Sequence, residues 1–429
     1  MSNTARPFVI AIVGAGIGGL AAAISLRRLP NIEVHVFEQA EELREVGASI
    51  ALGPNGLRSL EAIGAVNALS DDVGFRSDHG IPHIFQHWKS GEILVKDLHT
   101  VTVTQRNHHT TRFYRPHLLD ALAENLPKEI LHFRKRLLNV EVHPEGALLN
   151  FEDGERFEAD LVVGADGIKS TVRKSYLPEF QLQFTGQVWL RGVFPASRLD
   201  DLGIQNINNS VHIVGPDRSF FSSALGKGLF TVVGSRYEDP ATTPWTGKEW
   251  NDVGEVQHFR DYFKGWHPTI QAIVERTPDI HVFPGWSSEV APPPTSQGRI
   301  VLIGDSFHPH GGAFAAGGSL AIDDGRALYL ALSHTESTSS NEAQRADRIS
   351  KALDLYKATR LPHIDKVMLA VKASRANAAK PDQPWSEKKI REWARTKNSQ
   401  AWIHEHDVVG AFNEALVAKR PGKLISVRL

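Results

Sequence analysis

The sequence predicts an α/β chain with three parts: a parallel-sheet domain split along the chain, an inserted, mostly antiparallel β-sheet domain, and a helical C-terminal region. Three observations carry this. A β-branched apolar run, Phe8–Val13, passes through a glycine-rich turn into a helical stretch and then a second apolar run, Ile32–Phe37. Strand, turn, helix and strand in that order build a parallel pair. Two later apolar runs, Leu161–Val163 and Ile300–Ile303, also end in turns that carry glycine and an acid. Between about 182 and 284, short runs separated by turn residues replace the helical pattern, as in an antiparallel sheet.

The first unit is the most informative. Gly14-Ala15-Gly16-Ile17-Gly18-Gly19 fits G-x-G-x-x-G at Gly14, Gly16 and Gly19. Gly14 permits the tight turn, Gly16 lets a pyrophosphate approach the backbone, and Gly19 lets helix and strand pack closely. Phosphates belong at the positive end of the following helix. Glu38, nineteen positions past Gly19, ends the second strand and is placed to accept from a ribose diol. A bare glycine pattern says little, but strand, helix and acid together make a Rossmann-like dinucleotide unit. Alone, it serves NAD, NADP and FAD equally.

The rest follows in order. Pro54–Leu60 begins a helix with Pro at its start. His83–Trp88 and Glu92–Val95 flank Ser90-Gly91 and read as a hairpin, an excursion from the first domain. Residues 111–126 return to a helix that carries Arg115, and Leu161–Val163 delivers the chain to Gly164-Ala165-Asp166-Gly167. Val188–Phe194, Ser210–Val214, Ser219–Ser223 and Leu229–Gly234 form the sheet domain, with one helical segment near 253–276. Ile300–Ile303 runs into Gly304-Asp305, and a helix from about Ser319 follows. The expected boundaries are 1–80, 105–180 and 285–375 for the parallel domain, 81–104 and 181–284 for the sheet domain, and 376–429 for the helical region.

Composition narrows the class. The 429 residues are 41% apolar and 23% charged, with a formal net charge of −1, which argues against a nucleic-acid binder or a polybasic membrane surface. The absence of cysteine removes disulfides, thiolate metal sites and cysteine nucleophiles. The apolar N-terminus is interrupted by glycines and preceded by a single Arg6, so it reads as fold and not as a leader. No eighteen apolar residues run together, and the expectation is a cytoplasmic protein without membrane contact, monomeric or homodimeric. His308-x-His310 and His108-His109 invite a metal, but no third ligand is evident and adjacent histidines diverge, so a metal is set aside. Asp323-Asp324, adjacent on a helix, suit packing or capping.

Three glycine-bearing turns, each after a buried strand and two of them carrying an acid, call for a ligand longer than a mononucleotide. Their residues resemble the class A, single-component FAD-dependent aromatic hydroxylases of the salicylate hydroxylase kind. Ala165–Arg173 resembles that family's second fingerprint, and Gly304-Asp305-Ser306-Phe307-His308-Pro309 its third. The likeness covers most of residues 8–375. It implies FAD held by Gly14, Ala15, Gly16, Gly19, Glu38, Gln39, Gly47, Ala48, Arg115, Leu138, Asp166, Gly304, Asp305, Pro309, Gly317, Gly318 and Ser319. One departure is the loop Pro309–Ser319, which lacks the family's usual second Pro and Gly-Gln-Gly. The variant loop resembles that of fungal enzymes acting on polyketide-derived phenols, some of which dearomatise the ring.

The resemblance implies an NAD(P)H-consuming monooxygenase that uses molecular oxygen, through a flavin C4a-hydroperoxide, to hydroxylate a small electron-rich phenol. Oxidative dearomatisation of a resorcinol-type phenol is one outcome and decarboxylation of a salicylate-type acid another. Arg191, in an otherwise apolar strand of the sheet domain, is the candidate cation for the phenol oxygen. Tyr114, Phe220, Phe221 and Tyr237 are candidate pocket residues, Tyr237 also a candidate catalytic group, and His310 a candidate proton relay. A flavin halogenase would carry a Trp-x-Trp segment, which is absent. A non-catalytic binding or chaperone module of related fold is the rival from another class, and the intact Gly304-Asp305 turn speaks for the enzyme.

Overall fold

The computed structural model describes residues 6–43, 48–77, 80–204, 206–239, 241, 243, 251–335, 342–396 and 400–419. Its parallel domain is built on a six-stranded sheet in the order Thr295–Ser296, Ile300–Leu302, Leu161–Gly164, Phe8–Val13, Ile32–Phe37 and Leu131–His132. Every pair is parallel except the one made by Thr295–Ser296. Phe8–Val13 is central, and the register aligns Val13 with Gly164 and with Phe37, and Gly164 with Leu302. The three glycine-bearing turns therefore leave one end of the sheet side by side, where α/β folds place their ligand. Helices Ile17–Leu26 and Gly317–His334 pack through small residues: a Cβ at Gly18 would lie 3.1 Å from that of Ala321.

The second domain is an eight-stranded sheet. Its order is Asp252–Gly254, Ile280–Ser287, Gln183–Pro195, Leu229–Tyr237, Arg218–Ala224, Val211–Val214, His83–His87 and Ile93–Asp97. The excursion hairpin joins through one parallel pair with Val211–Val214. One face is apolar and covered by helices. Leu190, Phe220, Phe230 and Val232 pack there against Phe259 and Phe263. The single helical segment expected near 253–276 is two, Val256–Tyr262 and Pro268–Arg276. Gly265, at φ +77°, ends the first turn of chain and Pro268 opens the next helix. By strand alternation Trp189, Arg191, Phe221, Val233 and Phe283 share the opposite face.

A three-stranded sheet, Ser49–Leu52, Thr111–Tyr114 and Gly74–Arg76, meets that opposite face. Thr231 Oγ1 donates to Ser49 Oγ at 2.9 Å across the junction. The C-terminal region ties the two domains together. After helix Glu342–Ala376, which carries Pro362 inside it, helix Glu387–Thr396 lies along the hairpin, with Ile390 buried beside Phe85 and Val214. The chain then returns to the first core through Phe412. Among the described residues no helix is long and apolar enough to cross a membrane.

Candidate active site

The glycine turn is as tight as its sequence requires: Gly14 sits at φ +104°, and a Cβ there would lie 2.5 Å from the Ala165 carbonyl oxygen. Helix Ile17–Leu26 starts at Gly16 with no side chain capping it, so its first N–H groups face the open end of the sheet. Arg115 Nη2 lies 4.0 Å from where a Gly16 Cβ would be. An uncapped helix N-terminus beside a guanidinium fits a pyrophosphate. Glu38 accepts from the N–H groups of Ala15 and Ala40, both at 2.8 Å, which fixes its carboxylate at the turn. Gln39 is exposed beside it, and Leu138 offers an apolar side chain 53% exposed. Ala48 accepts from Arg115 N at 3.0 Å and packs against Trp189 and Phe283. Gly47 lies outside the described residues.

For three residues assigned from sequence the structure shows partners within the fold. Asp166 accepts from Ser170 Oγ, Thr171 N and Val172 N at 2.5, 2.7 and 3.0 Å, so its carboxylate caps helix Thr171–Tyr176 and shapes the turn. Ser319 is buried and accepts from Gly53 N at 2.9 Å, joining two helix starts within the fold. Phe220 is fully buried on the helix-covered face against Phe259 and Phe263, away from Arg191. Gly317 and Gly318 also divide. A Cβ at Gly318 would meet Ile50 and Leu52 at 2.8 and 2.9 Å, whereas one at Gly317 would face His310 and Asp305.

Asp305 is exposed while Gly304 and residues 306–310 are buried. Among the described residues its side chain has no partner, which suits an acceptor for ligand hydroxyls. The loop beyond it is clamped: Pro309 O accepts from Ser288 N at 3.1 Å, and His310 O from Arg375 Nη2 at 2.8 Å. Arg375 also holds Ser287 Oγ. Left-handed backbone follows at Gly311, Gly312, Phe314 and Ala315, the last two at φ +58° and +52°. Such conformations cost a non-glycine residue on the order of 1 kcal/mol and cluster at ligand clamps. Beneath the loop, Asp324 accepts from Gly304 N at 2.8 Å, pairs with His308 Nε2 at 2.7 Å, and meets Arg360 Nε at 2.7 Å. Burial raises the Asp324 carboxyl, but Arg360 and His308 outweigh it and hold the group below the usual range. Asp323 diverges to Asn55 and Ser59.

The metal reading lacked a third ligand in the sequence, and the folded loop supplies one. Asp305, His308 and His310 each bring a donor atom within 4.8 Å of the others. His308 is already committed to Asp324, and Asp305 borders the nucleotide cleft, so the group reads as part of the loop. His310 is 1% exposed, and neither ring nitrogen has a hydrogen-bond partner among the described residues. Burial is the main reason its imidazole is pushed down to about 4.

On the sheet face, the Arg191 guanidinium lies 4.8 Å from the Phe283 ring and 5.8 Å from that of Trp189. Its Nε has no hydrogen-bond partner among the described residues, and burial, with Arg115 nearby, pushes it down to about 10. Tyr237 shares the face by register; burial raises its phenol, and Arg375 opposes the shift. Phe221 is on this face too, whereas Tyr114 packs edge-on to His117 at the start of its helix. Sequence reasoning missed Arg112, Arg360 and Arg375. Arg112 carried the signal that marked Arg191, an arginine inside a short strand of aromatic and β-branched residues.

The clamped loop, exposed Asp305 and uncapped helix thus fit one long dinucleotide, and comparison with known proteins decides which. Residues 8–371 match the model of the FAD binding domain family. The chain belongs to that family. It is 32% identical over 364 residues to the 6-hydroxynicotinate 3-monooxygenase of Pseudomonas fluorescens, covering 82% of this chain and 90% of that one. It is 32% identical to a salicylate hydroxylase of Sarocladium schorii, covering 80% and 75%. A 6-methylsalicylate 1-monooxygenase of Aspergillus terreus is 29% identical, covering 84% and 80%. Among solved structures, a salicylate hydroxylase substrate complex superposes with a TM-score of 0.76 at 20% identity, covering 96% and 98%, a likeness of fold. This member of the FAD binding domain family is a flavin-dependent aromatic monooxygenase.

Proposed function

We infer that this enzyme uses NAD(P)H and O₂ to hydroxylate an electron-rich phenol whose oxygen Arg191 holds as the phenolate. The observation that carries the reading is Arg191 itself, a half-buried arginine whose guanidinium lies against two aromatic rings with no carboxylate partner among the described residues. A phenolate is far more nucleophilic at carbon than a phenol, and an arginine that stays charged favours it. Bound FAD supplies the redox chemistry, taking hydride from NAD(P)H and activating O₂. Overall, NAD(P)H, a proton, O₂ and the phenol give NAD(P)⁺, water and the hydroxylated ring. Burial keeps His310 neutral, so its open ring nitrogens are available to hydrogen-bond a ligand beside the loop. Tyr237, kept protonated by burial, remains a hydrogen-bond donor. The rings of Trp189 and Phe283 exclude water around Arg191.

The names of the relatives favour a salicylate-type acid as substrate, and decarboxylating hydroxylation of such an acid is the second reading. Dearomatisation would follow where the attacked carbon already carries a substituent. The test is to purify the protein with FAD and follow NAD(P)H loss with phenols that do and do not carry a ring carboxylate. Product mass separates oxygen insertion from loss of CO₂, and a new sp³ carbinol carbon marks dearomatisation. A colourless protein that cannot be reconstituted with FAD overturns the reading.

A further inference from the structure

Helices Val256–Tyr262 and Pro268–Arg276 cover only part of the apolar face of the eight-stranded sheet, over Leu190, Phe220 and Val232. Toward the hairpin His83–His87 and Ile93–Asp97 a cavity of about 710 Å³ opens instead. Ile84 and Ile213 form its floor, Ile270 and Ile273 of the second helix line one wall, and Ile204 and Ile207 line another. The floor and the helix wall are buried, whereas Ile93 and Lys96 at the rim are exposed. Ile213 pairs with Phe220, and Ile84 with Val211, which itself pairs with Ser222. Phe220 and Ser222 lie on the face turned away from Arg191, so the sheet stands between this cavity and the flavin site.

The lining sets the chemistry of an occupant. The volume lies within the roughly 300–1,000 Å³ of small-molecule sites. Among the described residues no Phe, Tyr or Trp lines it, so it lacks the flat rings against which an aromatic ligand stacks. Its branched aliphatic walls suit an alkyl chain, whose burial is favourable in proportion to the apolar area removed from water. No Asp or Glu lines it either, and Lys96 is the one lysine or arginine that does. Lys96 stands opposite Ile84 in the hairpin, so its side chain leaves the strand on the cavity's face. Among the described residues it makes no ion pair. An ammonium at the rim of an aliphatic trough is complementary to a carboxylate that ends a hydrocarbon chain.

We propose that this cavity is a second small-molecule site, which takes the alkyl chain of an amphiphilic carboxylate and holds its head group at Lys96. The site stands apart from the hydroxylation reading, because the sheet separates it from Arg191.

Calorimetric titration of the FAD-loaded protein with dodecanoate, kept below its micellar concentration, tests it. One dodecanoate should bind per chain and octanoate should bind more weakly, since each buried methylene contributes up to about 4-fold in affinity. Dodecyltrimethylammonium, with the same chain and the opposite charge, should bind less tightly than dodecanoate. Lys96→Glu should weaken dodecanoate about 3- to 10-fold, an effect that shrinks as salt is raised. Ile207→Trp, which fills the space from a half-buried wall, should weaken it further, and Arg191→Met, across the sheet, should leave it unchanged. The proposal is overturned if dodecanoate does not saturate the wild type, or if 2-naphthoate, an aromatic acid, binds more tightly. Neither result needs a variant to fold. Unchanged affinity in Lys96→Glu overturns it too, as does loss of binding in Arg191→Met, which would put the ligand on the flavin side of the sheet.

Discussion

Two buried regions of this enzyme carry arginine, and they are built oppositely. Beneath the flavin loop Arg360 is fully buried against Asp324, which also holds His308 and the Gly304 N–H. On the sheet face Arg191, half-buried, and Arg112, buried, lie against aromatic rings with donors open among the described residues. The electrostatics record the contrast. Burial lowers Arg360, but Asp324 and Asp323 more than reverse it and the group ends raised, whereas Arg191 and Arg112 are both pushed down to about 10. A paired charge is already satisfied and serves the fold. An unpaired one is a cost to the fold, and a ligand anion is what relieves it.

The largest expected effect lies in the paired region. Asp324→Asn removes the counter-charge of a buried arginine and weakens the acceptor of the Gly304 N–H, which should cost about 3–5 kcal/mol. The urea midpoint should drop accordingly, and replacing Asp324 by Leu with Arg360 by Met should recover much of the loss. If the double variant is as unstable as the single one, the pair is not what holds the loop.

Arg191→Met should behave in the opposite way. Removing an unpaired, half-buried charge leaves the urea midpoint unchanged or higher, while turnover falls by on the order of 100-fold, as when one donor to a developing oxyanion is lost. A variant that loses stability as Asp324→Asn does, or that keeps full turnover, would erase the contrast between the two regions.

How much of this was legible follows from the kind of interaction. The nucleotide turn depends on backbone shape, and Gly14, Gly16 and Gly19 advertise it because few other residues fit. The parallel core and the inserted sheet were legible through period and turn residues. Arg191 stood out as a charge inside an apolar strand. What stayed hidden depends on contacts between distant segments: Asp324 with Arg360, Ser319 with Gly53, and Asp305 turned toward His310. Phe220 and Phe221 show the limit of pattern reading. They are neighbours in a strand and were both assigned to the pocket, but alternation sends one to each face, and only the partner elements say which.

A moderate effect belongs to the nucleotide end. Glu38→Ala removes the carboxylate fixed by the Ala15 and Ala40 N–H groups and should weaken FAD binding about 10-fold. Flavin fluorescence quenching during reconstitution of the apoprotein measures it. Because this region works mainly through the backbone, the loss should stay well short of that caused by Arg191→Met on turnover. A complete loss of FAD would mean that the turn depends on one side chain more than its geometry indicates.

The smallest effect concerns a third way of burying a titratable group, which is to keep it neutral. His363 and His406 stack with ring centroids 3.7 Å apart, joining helix Glu342–Ala376 to the returning C-terminal segment close to Arg360. Burial first, then His406, Arg360, Lys366 and His308, push His363 down to about 2. Burial, Arg360, Arg58 and Lys366 push His406 down to about 4 against the opposing Asp407. Both values lie below the ordinary imidazole range, so between about pH 6.5 and 4 the unfolded chain binds protons that the folded chain does not. Stability is therefore full above that window and declines as pH falls through it, by at most about 1.4 kcal/mol per pH unit for each imidazole. His406→Phe keeps an aromatic ring in the stack and removes one of the two proton sites, so its urea midpoint should fall less between pH 7 and pH 5 than that of the wild type. An equal fall in both would show that the stacked pair does not carry the acid sensitivity in this range.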